Sequence, residues 1–217
     1  QSVNKNQVVV NMMEVLGDKV REEEIVEGMQ AEEEEEEEVE YDEHVWLSLN
    51  NAIDLTKVLC AEISNIDDAN GAIYAKNAAE YIKQLATLDA EYKAAVKSAK
   101  KNTVLFGDRY PFRYLTDDYD LKYYAAFVGC SAESEASFET IIFLANKVDE
   151  LGLNAVLTIE KSDKKIAKTV VNSTKNKNQQ ILEMDSLQSI TTKEIKAGRN
   201  YLSAMKKNLE VLKKALN

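Results

Sequence analysis

The sequence VLFGDRY at residues 104–110 begins the part of the chain that decides the fold. Its first three residues are typical of a buried strand, and similar short apolar runs return three times before the chain ends. Strands that alternate with helices over short connections require parallel pairing with right-handed crossovers. The predicted strands cover residues 104–106, 123–128, 155–159 and 180–184, and the predicted helices cover residues 111–118, 136–151, 162–174 and 191–216. We therefore expect an α/β fold whose second half is a four-stranded parallel lobe.

Two helices are predicted before this lobe. The first starts at Leu49, and the second covers about residues 69–101, with Asp67 and Asp68 as its N-caps. At 1.5 Å per residue the second helix would be roughly 45–50 Å long, which suits a rigid connection between two lobes. The β-branched run at residues 7–12 predicts a short strand. The expected division is a remnant of a first lobe at residues 1–66, a linker helix at residues 67–102 and a C-terminal α/β lobe at residues 103–217.

Negative charge is concentrated near the start of the chain. The formal net charge is -11, and the first fifty residues contain sixteen acids and three bases. We expect the acidic segment at residues 22–43, which includes seven consecutive glutamates from Glu32 to Glu38, to be a solvated loop. A compatible alternative is that it concentrates divalent cations near a site. Because the rest of the chain carries no basic excess, nucleic acid is not an expected partner.

The sequence contains neither a long apolar run nor a signal-peptide pattern, so no membrane span and no targeting segment are expected within it. The two cysteines, Cys60 and Cys130, are too few for a disulfide scaffold. Two buried thiols are the favoured interpretation, and a single disulfide is the alternative.

Candidate site residues follow the predicted strands, because ligands of open parallel sheets bind beyond the carboxyl ends of the strands. Asp108, Glu160, Asp185 and Gln188 lie there, and His44 is the one histidine of the chain. No nucleophile elbow, phosphate loop or dinucleotide fingerprint occurs, so the chain is not expected to be an enzyme. A general acid and base pair of Asp108 and Glu160 ranks below metal binding. Imidazole with oxygen donors suits zinc or manganese.

The sequence DEHVWLS at residues 42–48 resembles the D-x-H-x-W-L-S signature of zinc and manganese substrate-binding proteins of ABC transporters, in the group with a rigid linker helix. The similarity continues in order through residues 77–92, 106–114, 129–133 and 201–209. This resemblance implies two α/β lobes bridged by one long helix, with the metal bound between the lobes.

The resemblance also implies a ligand set. His44 matches the family's second ligand. The third ligand matches Asp108 best, although a match shifted by one residue would give Arg109 instead. The fourth ligand matches Asp185 or Gln188. The family's first ligand, a histidine early in the first lobe, has no counterpart, so most of that lobe is expected to be missing. Polyglutamate also replaces the histidine-rich loop that often precedes the signature, so weaker and less zinc-selective capture is expected.

The function that the resemblance implies is extracytoplasmic capture of Zn²⁺, with Mn²⁺ as the alternative, and delivery to a membrane permease. The chain would act as a monomer at the outer face of the membrane, lipid-anchored, or in the periplasm. The alternative is an interaction or structural module that keeps the fold and does not bind metal.

Overall fold

The centre of the molecule is a parallel sheet of four strands. The computed structural model describes residues 7–30, 40–129, 131 and 135–217. The strands are β1 (Thr103–Tyr110), β2 (Lys122–Val128), β3 (Ala155–Ile159) and β4 (Gln180–Met184), and they lie in the order β2-β1-β3-β4. The α/β fold and the four-stranded parallel sheet predicted from the sequence are therefore confirmed.

Helices precede the sheet and alternate with its strands. They are α1 (Met12–Leu16), α2 (Leu49–Ile66), α3 (Gly71–Lys97), α4 (Arg113–Asp118), α5 (Phe138–Leu151), α6 (Lys165–Ser173), α7 (Thr192–Lys196) and α8 (Tyr201–Ala215). Both faces of the sheet are covered. Val104 and Phe106 of β1 point into a core with α3 and α8, whereas Leu105 points into a second core with α5 and α6. Burial on both faces explains why the central strand β3 is an almost continuous apolar run.

The predicted closing helix at residues 191–216 is wrong in one respect, because the structure divides it into α7 and α8. Gly198 lies between them with φ +93°, a left-handed value that favours glycine. Asn200 then begins α8, since its side chain accepts a hydrogen bond from the backbone N–H of Ser203. The break gives residues 197–200 a turn at the carboxyl end of the sheet.

The long helix is present but shorter than predicted. α3 contains 27 residues, which gives a length of about 40 Å. Its predicted caps are wrong: Asp67 ends α2 instead, and a 3₁₀ turn over Asp68–Asn70 separates the two helices. Leu85, Leu88 and Tyr92 are buried in the carboxyl-terminal half of α3, whereas the first half is exposed or half-buried. No helix in the described ranges is both long and apolar enough to cross a membrane.

The strand predicted at residues 7–12 is wrong. Residues 7–11 have no regular structure, and α1 begins at Met12. The side chain of Asn11 accepts hydrogen bonds from the backbone N–H groups of Met13 and Glu14, at 3.0 and 3.3 Å. This N-cap favours a helix start over the extended conformation that the preceding valines prefer.

Part of the acidic segment packs on the sheet instead of forming a solvated loop. The backbone N–H of Gln30 donates to the carbonyl oxygen of Ala126 in β2 (2.9 Å), and the hydroxyl of Tyr123 donates to Glu24 (3.2 Å). Residues 22–30 therefore cover the outer edge of β2, which would otherwise expose unpaired backbone groups. Glu22 and Tyr41 form an antiparallel bridge that brings the two ends of the segment together. The seven consecutive glutamates, Glu32 to Glu38, lie outside the described residues.

The thiol of Cys60 is half-buried and free. Cys130 lies outside the described residues, so the favoured interpretation of two buried thiols stays a prediction for Cys130.

Candidate functional site

The predicted ligand His44 is held by a neighbouring carboxylate. Its side chain is buried at the start of a 3₁₀ turn, Val45–Leu47, and its Nδ1 atom lies 2.8 Å from Oδ1 of Asp42. The same oxygen accepts the backbone N–H of His44 at 2.8 Å. Because a carboxylate oxygen accepts, Nδ1 carries the proton, and in the neutral imidazole Nε2 keeps the lone pair that a metal requires. Metal-binding histidines are commonly oriented by a carboxylate in this way.

Two further groups confine the imidazole ring. A methyl group added at Gly129 would lie 2.8 Å from Cε1 and 3.1 Å from Nδ1 of His44, so the ring packs directly against the backbone that follows β2. On another side, the ring centroids of His44 and Trp46 are 5.5 Å apart. The orientation of His44 is therefore fixed by packing as well as by Asp42.

Trp46 connects this segment to the end of β4. Its indole Nε1–H donates to the carbonyl oxygen of Ser186 at 3.0 Å. Its own carbonyl oxygen accepts the hydroxyl of Tyr201 from α8 at 2.7 Å. The signature segment is thus bonded to elements that lie 140 and 155 residues further along the chain.

Ser48, the last residue of the signature, starts α2. Its hydroxyl oxygen accepts the backbone N–H of Asn51 at 3.0 Å, and its O–H donates to Asp118 at 2.7 Å. Burial raises the pKa of the Asp118 carboxyl, and the hydrogen bond from Ser48 partly opposes that rise.

Asp108 lies where β1 changes its register between Phe106 and Arg109. Such an irregularity turns a side chain away from the regular alternation of a strand. The two carboxylate oxygens of Asp108 accept backbone N–H groups of Arg109 at 2.9 Å and of Ile159 at 3.4 Å. Gly107 allows α6 to approach, because a methyl group there would lie 2.5 Å from the Cα atom of Ala167.

Asp108 and Gln188 line the same cavity, which has a volume of about 270 Å³ and includes Arg109 and Glu160 in its wall. The structure therefore brings these two predicted ligands to one place. Of the alternatives Asp108 and Arg109, only Asp108 has a donor atom for a cation, because a guanidinium is permanently charged and offers no lone pair. The Arg109 guanidinium donates instead to the carbonyl oxygen of Ser131, at 3.3 Å.

Asp185 lies in the wall of a neighbouring cavity of about 260 Å³. Its carboxylate is already occupied: Oδ2 lies 2.5 Å from the guanidinium of Arg199, and Oδ1 accepts the backbone N–H of Leu187 at 2.9 Å. The amide side chain of Asn208 bonds to both backbone groups of Asp185, at 2.8 Å each. Glu160 contributes to both cavities, and so it stands between Asp185 and the pair of Asp108 and Gln188.

The predicted ligands are therefore assembled only in part. Within the described ranges, no group of three or more His, Cys, Asp and Glu side chains is arranged to hold a metal ion. The complete set of His44, Asp108, Asp185 and Gln188 stays a prediction.

Sequence reasoning missed Asp42 as the partner of His44 and Arg199 as the partner of Asp185. The spacing D-x-H gave a signal for Asp42. Nothing in the sequence pattern indicated the role of Arg199.

Comparisons with known proteins agree with the fold and with the signature. Residues 1–215 match the family model of ZnuA, described as the zinc-uptake complex component A, periplasmic. A zinc-binding protein AdcA of Streptococcus pyogenes is 31% identical over 173 residues, which are 80% of this chain and 33% of that protein. The high-affinity zinc uptake system protein ZnuA of Bacillus subtilis is 30% identical over 175 residues, which are 81% of this chain and 53% of that protein.

A solved structure gives the same result. The Zn(II)-bound ZnuA-like domain of Streptococcus pneumoniae AdcA superimposes with a TM-score of 0.66 at 30% identity, covering 81% of this chain and 64% of that one. The chain spans about a third of the AdcA relative and about half of the Bacillus protein. Because the family model matches almost the whole sequence, the chain belongs to the ZnuA family of periplasmic zinc-uptake components.

Proposed function

We propose that this chain is the solute-binding part of a zinc importer, which captures Zn²⁺ outside the membrane and presents it to an ABC permease. The family is one of transport components, so the chain is not an enzyme, as the sequence led us to expect. The observation that carries the proposal is the hydrogen bond from His44 Nδ1 to Asp42, which leaves Nε2 available to a cation.

The proposed ligands start with His44 as the imidazole donor. Asp108 and Gln188 supply oxygen atoms from the shared cavity, and Asp185 supplies a fourth donor when its carboxylate is released from Arg199. Nitrogen and oxygen donors in a four-coordinate arrangement suit Zn²⁺, and Mn²⁺ is the alternative cargo.

The proposed location is outside the cytoplasm. The family description is periplasmic, and the AdcA relative of Streptococcus pneumoniae is named a zinc-binding lipoprotein. By analogy we propose an extracytoplasmic protein that is lipid-anchored or periplasmic and that binds its permease as a monomer. In the same scheme α3 is the linker, residues 1–66 belong to a first lobe and residues 103–217 form the second.

Isothermal titration calorimetry with Zn²⁺ and Mn²⁺ tests the proposal. The wild-type protein is compared with His44→Ala, and Asp67→Asn at the far end of α2 serves as a carboxylate control. We expect His44→Ala to weaken zinc binding by at least about tenfold, and Asp67→Asn to have no effect. Equal zinc affinity in the wild type and His44→Ala would contradict the proposal.

A second candidate is an interaction module that keeps the fold and binds no metal. It is favoured by one observation, the ion pair of Asp185 with Arg199, which places a cation of the protein itself on a proposed ligand. This candidate predicts a melting temperature that changes neither with zinc nor with a chelator, because only a ligand of the native state stabilises it.

A further inference from the structure

The peptide that carries Ser186 is fixed from the side opposite Trp46. Ser186 is fully buried directly after β4 and Asp185. Both carboxylate oxygens of Glu160 bind Ser186: Oε2 accepts the backbone N–H of Ser186 at 2.7 Å, and Oε1 accepts the Ser186 hydroxyl at 2.9 Å. The carbonyl oxygen of the same residue is then available to the indole of Trp46. Glu160 thus fixes the peptide whose carbonyl oxygen accepts the indole N–H of Trp46.

Trp46 is held at both of its ends, because the Ser186 carbonyl accepts its indole N–H and the Tyr201 hydroxyl donates to its own carbonyl. His44 is two residues away, and its ring lies against the indole. A rotation of the Trp46 backbone would move the imidazole away from Gly129, the residue after β2. These bonds therefore act on His44 through its neighbour in the chain.

We infer that Trp46, Tyr201, Ser186 and Glu160 form a latch at the carboxyl end of β4 that orients His44 against Gly129 beyond the end of β2, and that Glu160 acts as a positioning residue and not as a metal ligand. The inference rests on the proposed zinc-binding function for its effect on affinity. It also makes a claim about the metal-free protein, namely that His44 loses its single orientation when the latch is broken.

The chain contains one tryptophan and one histidine, so the signals of Trp46 in the latch and of His44 beside it can each be assigned without ambiguity. Trp46→Phe keeps an aromatic ring and removes the indole N–H donor. Tyr201→Phe removes the hydroxyl that donates to Trp46. The matched control is Tyr92→Phe, because the Tyr92 hydroxyl also donates to a backbone carbonyl of α8, that of Met205, at 2.6 Å.

The first measurement uses the metal-free protein. The nitrogen NMR signals of His44 report its tautomer, and acrylamide quenching of fluorescence reports access to Trp46. We expect one Nδ1–H tautomer in the wild type and in Tyr92→Phe. In Trp46→Phe and Tyr201→Phe we expect a mixture of tautomers, and in Tyr201→Phe and Glu160→Gln at least about twofold stronger quenching than in the wild type, because a loosened indole is more exposed to solvent.

The second measurement is zinc affinity by calorimetry at a temperature where all variants are folded. We expect Trp46→Phe, Tyr201→Phe and Glu160→Gln each to weaken zinc binding by about tenfold or more, the effect typical of groups that orient a metal-binding histidine, and Tyr92→Phe to leave it unchanged.

The outcomes separate the latch from the function. If the latch variants lose thermal stability as Tyr92→Phe does, and both the His44 tautomer and the zinc affinity stay as in the wild type, the bonds are only structural and the inference is wrong. If the wild type binds no zinc but the latch variants still change the His44 tautomer, the latch stands and the proposed function fails.

Discussion

Removal of the Arg199 guanidinium tests whether Asp185 is a zinc ligand. In Arg199→Gln the carboxylate of Asp185, whose side chain is only 8% exposed, keeps the N–H of Leu187 and loses its cationic partner. Loss of one partner of a buried ion pair costs about 3–5 kcal/mol. We expect the lower end of this range, about 3 kcal/mol, because the cavity beside Asp185 admits water.

For a chain of this length, about 3 kcal/mol corresponds to a fall in melting temperature of roughly 6–12 °C. Zinc should reverse part of this loss in the variant, because the cation replaces the missing guanidinium as the partner of Asp185. A ligand at a hundred times its dissociation constant stabilises the native state by about 2.7 kcal/mol. The wild type should gain less from the same zinc concentration, since zinc must first displace Arg199.

The assay is thermal unfolding of the wild type and Arg199→Gln in zinc and in chelator. Arg199→Lys is the matched control, because it keeps a positive charge beside Asp185. The expected result is a larger zinc-induced rise in melting temperature for Arg199→Gln than for either other protein. An equal rise in all three would show that Asp185 does not bind zinc, whereas the loss of stability in chelator would still measure the ion pair.

Three further changes have expected outcomes. Asp42→Asn should weaken zinc binding by about 10–100-fold with little change in fold, measured by calorimetry, because the amide no longer fixes His44 by a charged hydrogen bond; wild-type affinity would contradict the assigned role. Gly129→Ala should cost about 1–3 kcal/mol in chemical unfolding and weaken zinc binding, since its methyl group would lie 2.8 Å from His44 Cε1; unchanged stability would contradict this contact. Thr191 is the N-cap of α7, and its hydroxyl donates to the carboxylate of Glu194 at 2.6 Å. This hydrogen bond lowers the pKa of Glu194 from 4.5 to about 2, so the contribution of the cap is present above pH 4.5 and is lost as the pH falls through about 2. An NMR titration of Glu194 with a midpoint near 4.5 would exclude it.

The sheet could be predicted from the sequence because its central strands are largely buried on both faces. That burial favours a nearly continuous apolar run, as at residues 155–159, which coincide with β3. The half-buried edge strand β4 was predicted at residues 180–184 from a shorter apolar stretch. The errors occurred where a local polar contact overrides the apolar pattern. Asn11 caps a helix after a run of valines, and Gly198 divides an otherwise regular helical pattern.

In the candidate site, only the contacts between residues close together in the sequence could be predicted. His44 was found because its signature is contiguous in sequence, and the partner Asp42 lies within that same stretch. The pairing of Asp185 with Arg199 depends on the turn between α7 and α8, which in turn depends on Gly198. A contact that depends on where two helices break and on a single turn residue leaves no periodic pattern in the sequence.

The acidic segment and the signature are physically one feature. The antiparallel bridge of Glu22 with Tyr41, together with the hydrogen bond from the Asp42 N–H to the Arg21 carbonyl (2.9 Å), fixes both ends of the segment. The segment therefore returns to the fold three residues before His44. Negative charges raise the concentration of cations at sites within about one Debye length of them, which is about 10 Å at 0.1 M salt. These backbone bonds thus hold the acidic residues Glu22 and Glu23 beside the start of the signature.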